Sequence, residues 1–221
     1  MIKIDKKIIE PILLTRYRNM DGSTYQDMHG ARLDGIGCED VYHAVLRNLL
    51  EEQGHLCAYC MCRIPDKSGR ARIEHIIPQS KEPNKALDYR NMLAVCYGND
   101  NAVSYDFKTC DARRGNRDMS INPLDERTLS SIGYKNDGKI YSQNDEVDRE
   151  LNDLLNLNCQ ARLLPMSRKQ ALDAMIDFVY KRKGNGSIKV LCNRLLSKYQ
   201  QYETYKEPYV GILIYWLRRH V

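Results

Sequence analysis

Apolar positions along the chain change period several times, and each change marks an element. Residues 1–34 hold one apolar run, 8–14, followed by Tyr17, Gly22 and Gly30; this predicts a short helix or strand giving way to loop. Over residues 39–53, Val41, Val45 and Leu49, with Leu46 and Leu50, recur at helical spacing behind acidic residues that suit a helix start, and Gly54 can end the helix. Residues 70–77 alternate and are β-branched, which predicts a strand that Pro78 stops. Residues 79–90 are polar and predict a loop, and residues 92–96 a second strand. The run after Cys110, ARRGN, predicts a basic turn or helix start.

Beyond residue 120, two short alternating runs flank Asn136-Asp137-Gly138, a hairpin signal. From Glu146 the pattern turns helical, with Val147, Leu151, Leu154 and Leu155. Ser167, after Pro165, is expected to cap a helix bearing Ala171, Leu172, Met175, Ile176 and Val179. The basic run KRKGNGS at 181–187 leads to a helix at 188–199, and an apolar run at 209–217 closes the chain. The expected fold is α+β in three segments: 1–54, an N-terminal segment with a lead-in helix; 55–120, a compact core; 121–221, a hairpin and mostly helical region.

Residues 57–116 concentrate the chemistry. Cys57 and Cys60 have the spacing of a zinc knuckle, in which a tight turn aims two sulfurs at one ion; Cys96 and Cys110 supply the other two corners of a tetrahedral Zn²⁺ site. Cys62 competes with Cys60 for a place in it, whereas Cys159 and Cys192 lie on helical apolar faces and read as small buried residues. A structural ion of this kind contributes on the order of 10 kcal/mol to folding. Between the cysteines lies Glu74-His75, near the end of the first predicted strand. Neighbours on a strand point to opposite faces, so a twist or bulge is needed to bring the carboxylate to a metal and the imidazole to a water.

Taken together, Cys57-x2-Cys60, then EHIIPQS at 74–80, Asn91-Met92-Leu93, Cys96 and CDARRG at 110–115 resemble the HNH endonucleases. The resemblance implies a zinc-stapled ββα-metal core. His75 would be the general base that activates water. Glu74 would hold a catalytic divalent ion, Mg²⁺ or Mn²⁺, with Asp111 as second ligand and Asn116 or Asp118 as substitutes. Asn91 would brace the loop between the strands, and Arg113, Arg114 and Arg117 would position a DNA backbone. The chain departs from the family in two ways. Thirteen residues separate Cys96 from Cys110, a pair that is usually close, and Asp111 stands where the family has His or Asn. A looser likeness, through LLEEQ at 49–53, LDYRNML at 87–93 and LNLN at 155–158, reaches the HNH proteins of Septu and retron-associated anti-phage systems. That likeness implies a defence effector acting beside an ATPase partner. Two alternatives stand beside this reading: a zinc-dependent binding module without catalysis, and an HNH enzyme acting on RNA.

Composition sharpens the picture in two places. The net charge of +5 is uneven, at −2 over 1–54, +3 over 55–120, −4 over 121–159 and +8 over 160–221. A positive field on one side suits a nucleic-acid ligand, although basic helical faces are often merely solvated. Glu10 and Pro11 interrupt the N-terminal apolar run, and no stretch approaches the roughly 20 apolar residues that span a bilayer. The expectation is a cytoplasmic protein, in which cysteines serve as thiolates or metal ligands rather than as a disulfide scaffold.

Overall fold

The computed structural model describes residues 1–6, 9–33, 39–65, 70–182 and 187–221. The N-terminal run becomes a short helix, α1 (Ile12–Arg18), that buries Leu13, Leu14 and Tyr17. Helix α2 (Val41–Glu52) follows the predicted period, with Val41, Val45, Leu49 and Leu50 buried on one side. Asp40 caps it, its carboxylate accepting from the His43 amide at 2.9 Å. At its far end, the Gln53 amide nitrogen donates to the carbonyls of Leu56 and Ala94 at 2.8 and 2.7 Å. Its oxygen accepts from the Ala94 amide at 2.8 Å, which ties the helix to the sheet.

That sheet is one antiparallel pair, β1 (Ala71–His75) against β2 (Met92–Cys96), in register from Ala71 opposite Cys96 to His75 opposite Met92. Residues 76–91 cross between the strands as a loop with two short helical turns, Pro83–Lys85 and Tyr89–Asn91. A second loop, 97–109, leads into the short helix α3 (Cys110–Arg114), so the core has the order strand, strand, helix. The neck of this second loop is pinched. The Thr109 amide donates to the Gly98 carbonyl at 2.7 Å, and a Cβ on Gly98, whose φ is +57°, would fall 1.9 Å from the Thr109 oxygen. Only glycine fits there.

A one-turn helix, α4 (Glu126–Leu129), precedes the predicted hairpin, β3 (Ile132–Tyr134) against β4 (Ile140–Ser142). The turn closes through Gly138, at φ +84°, where a side chain would strike the Pro165 carbonyl. Helix α5 (Asp145–Arg149) opens into a wider turn over Glu150–Leu154. Helices α6 (Leu164–Arg182), α7 (Ile188–Gln200) and α8 (Val210–Arg218) complete the chain. Helix α6 begins before the expected Ser167 cap. Pro165 sits inside its first turn, where the missing N–H has no partner to lose. Residues 183–186 of the basic run lie outside the described residues. Helix α8 is the most apolar and buries Val210, Ile212, Leu213, Ile214 and Leu217. One continuous apolar cluster joins α1, α2, the strands, the cysteines and α8, so the fold is α+β with a shared core.

Candidate active site

Four cysteine sulfurs converge from three elements. Cys57 and Cys60 come from the turn after α2, Cys96 from the end of β2 and Cys110 from the start of α3. All four are buried and their sulfurs lie within 4.8 Å of one another. The Sγ–Sγ distances are 3.9 Å for Cys57–Cys110 and 3.8 Å for both Cys60–Cys96 and Cys96–Cys110. Four sulfurs held ~2.3 Å from a tetrahedral Zn²⁺ stand about 3.8 Å apart, whereas a disulfide needs about 2 Å. The cage therefore has zinc dimensions. Burial pushes the Cys57 thiol well up, and hydrogen bonds from Cys110, Cys57 and Cys60 pull Cys96 well down. Cys62 stays outside the cage and instead closes the knuckle, its carbonyl accepting from the Cys57 amide at 3.0 Å. Cys110 takes a left-handed conformation, φ 54°, and its amide donates to the Leu155 carbonyl at 2.9 Å.

At the end of β1, Glu74, His75, Asp111 and Asn116 line one cleft of about 380 Å³ together with Tyr25, Gln26 and Gln79. Its two carboxylates come from β1 and α3. Glu74 is held by one oxygen: Oε1 accepts from Tyr59 Oη at 3.0 Å and from Arg114 at 2.5 Å. Oε2 accepts from the His75 amide at 3.2 Å, and the carboxyl also shares a hydrogen bond with Asp111. Asp111 lies 3.3 Å from Arg72, which also pairs with Asp100 at 2.5 Å and stacks on Tyr97. Burial raises the Glu74 carboxyl to about 8, and the neighbouring Asp111 charge adds to it; the Arg114 guanidinium opposes both without cancelling them. Two acids pushed together in this way form a donor set that a hard divalent cation fits.

His75, at the last paired position of β1, is buried, and burial lowers its pKa so that the ring is neutral at pH 7. Its Nε2 lies 2.9 Å from the Ala86 carbonyl, which can only accept, so Nε2 carries the proton and Nδ1 is the bare nitrogen. The ring is fixed edge-on by Tyr25 with centroids 4.7 Å apart. Asn91 ties the two ends of the strand-connecting loop. Its oxygen accepts from the Ile77 amide at 2.8 Å, and its nitrogen donates to the carbonyls of Ile77 at 3.0 Å and Lys85 at 3.3 Å.

The three arginines part company. Arg114 is 1% exposed and spends its guanidinium on Glu74, Tyr59 and the carbonyls of His75, Ile76 and Arg117. Expected as a phosphate contact, it is instead an internal strut. Arg113 lies over the Tyr105 ring at 4.0 Å and pairs with Asp106 at 3.2 Å, while Arg117 is exposed and donates to Tyr105 Oη at 2.6 Å. Asp118 is exposed and pairs with Lys81 at 3.1 Å, so of the two substitutes only Asn116 reaches the cleft.

Pattern reading missed Tyr59, Arg72, Tyr25 and Gln26. The first two are ordinary residues within a knuckle and a strand, and the last two belong to a stretch without periodicity. Only Gln79, inside EHIIPQS, lay within a recognisable motif.

A family model described as HNH endonuclease matches residues 57–98, from the first cysteine through Glu74, His75, Asn91 and Cys96 to the pinched glycine. The chain carries an HNH endonuclease domain. Over 83 residues it is 29% identical to the Septu protein PtuB of Bacillus thuringiensis, a match covering 38% of this chain and 28% of that relative's length. Cys110 and Asp111 fall beyond the family match, yet they complete the sulfur cage and reach the HNH cleft. Among the described residues no helix is long and apolar enough to cross a membrane.

Proposed function

We propose that the chain hydrolyses DNA phosphodiester bonds with Mg²⁺ or Mn²⁺, as the cytoplasmic nuclease effector of an anti-phage system that includes an ATPase partner. The observation that supports it is the convergence of an imidazole and two carboxylates on one cleft beside a sulfur cage. The likeness to PtuB supports the defence setting.

In this reading each side chain has one task. His75 Nδ1 takes the proton from the attacking water, because its other nitrogen is committed to Ala86. Tyr59 and Arg114 hold Glu74 by Oε1, which leaves Oε2 and the Asp111 carboxylate to hold the divalent ion. Such an ion, when bound, neutralises the phosphate and stabilises the leaving oxygen. Asn91 keeps the loop that carries the Ala86 carbonyl in place, so the base stays aimed. Arg113, in the last turn of α3, and Arg117, just beyond it, would contact the sugar-phosphate backbone. The Cys57, Cys60, Cys96 and Cys110 cage would hold a structural Zn²⁺, which would fix α3 against the sheet.

The test uses the purified chain with Mg²⁺ or Mn²⁺ on plasmid DNA, linear DNA and single-stranded RNA. DNA should be cut, and His75→Ala should lower cutting by about 10²–10⁴ while zinc content and thermal unfolding stay unchanged. RNA cleavage in its place would reassign the substrate. Cutting by the His75→Ala variant at the parent rate would end the reading.

A further inference from the structure

The bare nitrogen of His75 is already occupied. The Gln79 amide nitrogen lies 3.2 Å from Nδ1, the atom that has to accept a proton from water. Because Nε2 donates to the Ala86 carbonyl, Nδ1 has one lone pair and no proton, so only the N–H of Gln79 can bond there. The other end of the same amide agrees with this orientation. Gln79 Oε1 faces the Gln26 amide nitrogen at 3.5 Å. Three groups thus donate in one direction, Gln26 to Gln79, Gln79 to His75 and His75 to Ala86. The chain begins in the N-terminal segment, outside the residues matched by the family model, and ends in the loop braced by Asn91.

One lone pair accepts one strong hydrogen bond. A water and the Gln79 amide therefore exclude each other at Nδ1. We propose that Gln79 is a positioning residue that holds the place of the attacking water on His75, is steadied by Gln26, and swings off when substrate enters the cleft. The inference rests on the nuclease reading above. It adds that the base is covered at rest and that the N-terminal segment helps to cover it. Gln79 is half-buried and lines the cleft with Ser80, so it has space to turn outward.

The experiment compares full-length parent, Gln79→Ala, Gln79→Leu and Gln26→Ala on DNA with Mn²⁺ at limiting substrate, with His75→Ala as the inactive control. Losing one hydrogen bond of ordinary net strength should raise cleavage about fivefold in both Gln79 variants. Gln26→Ala should raise it less. Gln79→Leu keeps the bulk of the side chain, so a rise in both variants separates loss of the donor from loss of packing. In parallel, nuclear Overhauser contacts between the Gln79 amide protons and the His75 ring proton beside Nδ1 should be present in the free chain. They should be lost on adding a phosphorothioate DNA oligonucleotide. Slower cleavage in both Gln79 variants, or no such contact in the free chain, overturns the proposal. A parent that cuts nothing counts against the nuclease reading, while the free-chain contact still decides whether the amide sits on the base.

Discussion

The two metal-competent sites described above share helix α3, which gives Cys110 to one and Asp111 to the other, and are built on opposite principles. The sulfur cage is closed: four ligands of one kind, all buried, at the spacing of a filled tetrahedron. The cleft is open: two carboxylates and an imidazole line a space of about 380 Å³, and each acid already has an arginine beside it. A closed site contributes folding energy and leaves no room for a reactant. An open site with balanced charges can hold an ion and a substrate without becoming a staple. On the proposed function, the first site carries the stability of the core and the second its chemistry, and perturbations should separate the two.

The largest effect should come from opening the cage. Cys110→Ala, or removal of zinc by a strong chelator, should unfold the core, a loss on the order of 10 kcal/mol. Metal analysis should give one zinc per parent chain, and circular dichroism should follow the collapse. If the chelated chain keeps its melting temperature, the closed site is not a staple.

Breaking the open site should look different. His75→Ala should lower cleavage by about 10²–10⁴ with the fold intact, as read by cleavage rate and melting temperature together. Arg114→Ala crosses the divide, because it removes the donor to Glu74, to Tyr59 and to the carbonyls of His75, Ile76 and Arg117. A buried acceptor left without its donor costs roughly 1–3 kcal/mol, so both melting temperature and activity should fall. Asn91→Ala should cost about 1–3 kcal/mol by freeing buried backbone groups of the loop, measured by denaturant unfolding.

The subtlest effect is on pH. Glu74 titrates near 8 in the folded chain, above its ordinary 4.5, so the metal-free fold binds this proton more tightly than the unfolded chain does. The stability it contributes is fully present below the ordinary value and is lost as pH rises toward 8. A divalent ion competes with the same proton. Its apparent affinity should therefore rise about tenfold per pH unit on the acid side of that value, measured by titration calorimetry with Mn²⁺. An affinity flat between neutral pH and 8 would place the ion elsewhere.

Much of this was readable from residue order, for physical reasons that differ by region. The helix over 41–52 and both core strands carry strong periods, so packing and propensity agree. The cysteines were legible because thiolate chemistry needs few spacings. What escaped were contacts made across distance. Arg114 looked like a surface cation because a basic run says nothing about which side chain turns inward. Tyr25 and Gln26 sit among glycines and polar residues with no pattern, yet the fold lays them against His75. The start of α6 was misplaced because a capping serine outweighed a proline that is equally at home in a first turn.

The constriction at Gly98 and Thr109 has an engineering consequence. Ten residues hang beyond it as a bag on a drawstring, stitched to the core at Asp100, Tyr105 and Asp106. Unusual distance along the chain between the last two thiols thus leaves their meeting undisturbed. New sequence spliced between those stitches, as a tag or a tether, should leave the sulfur cage below intact.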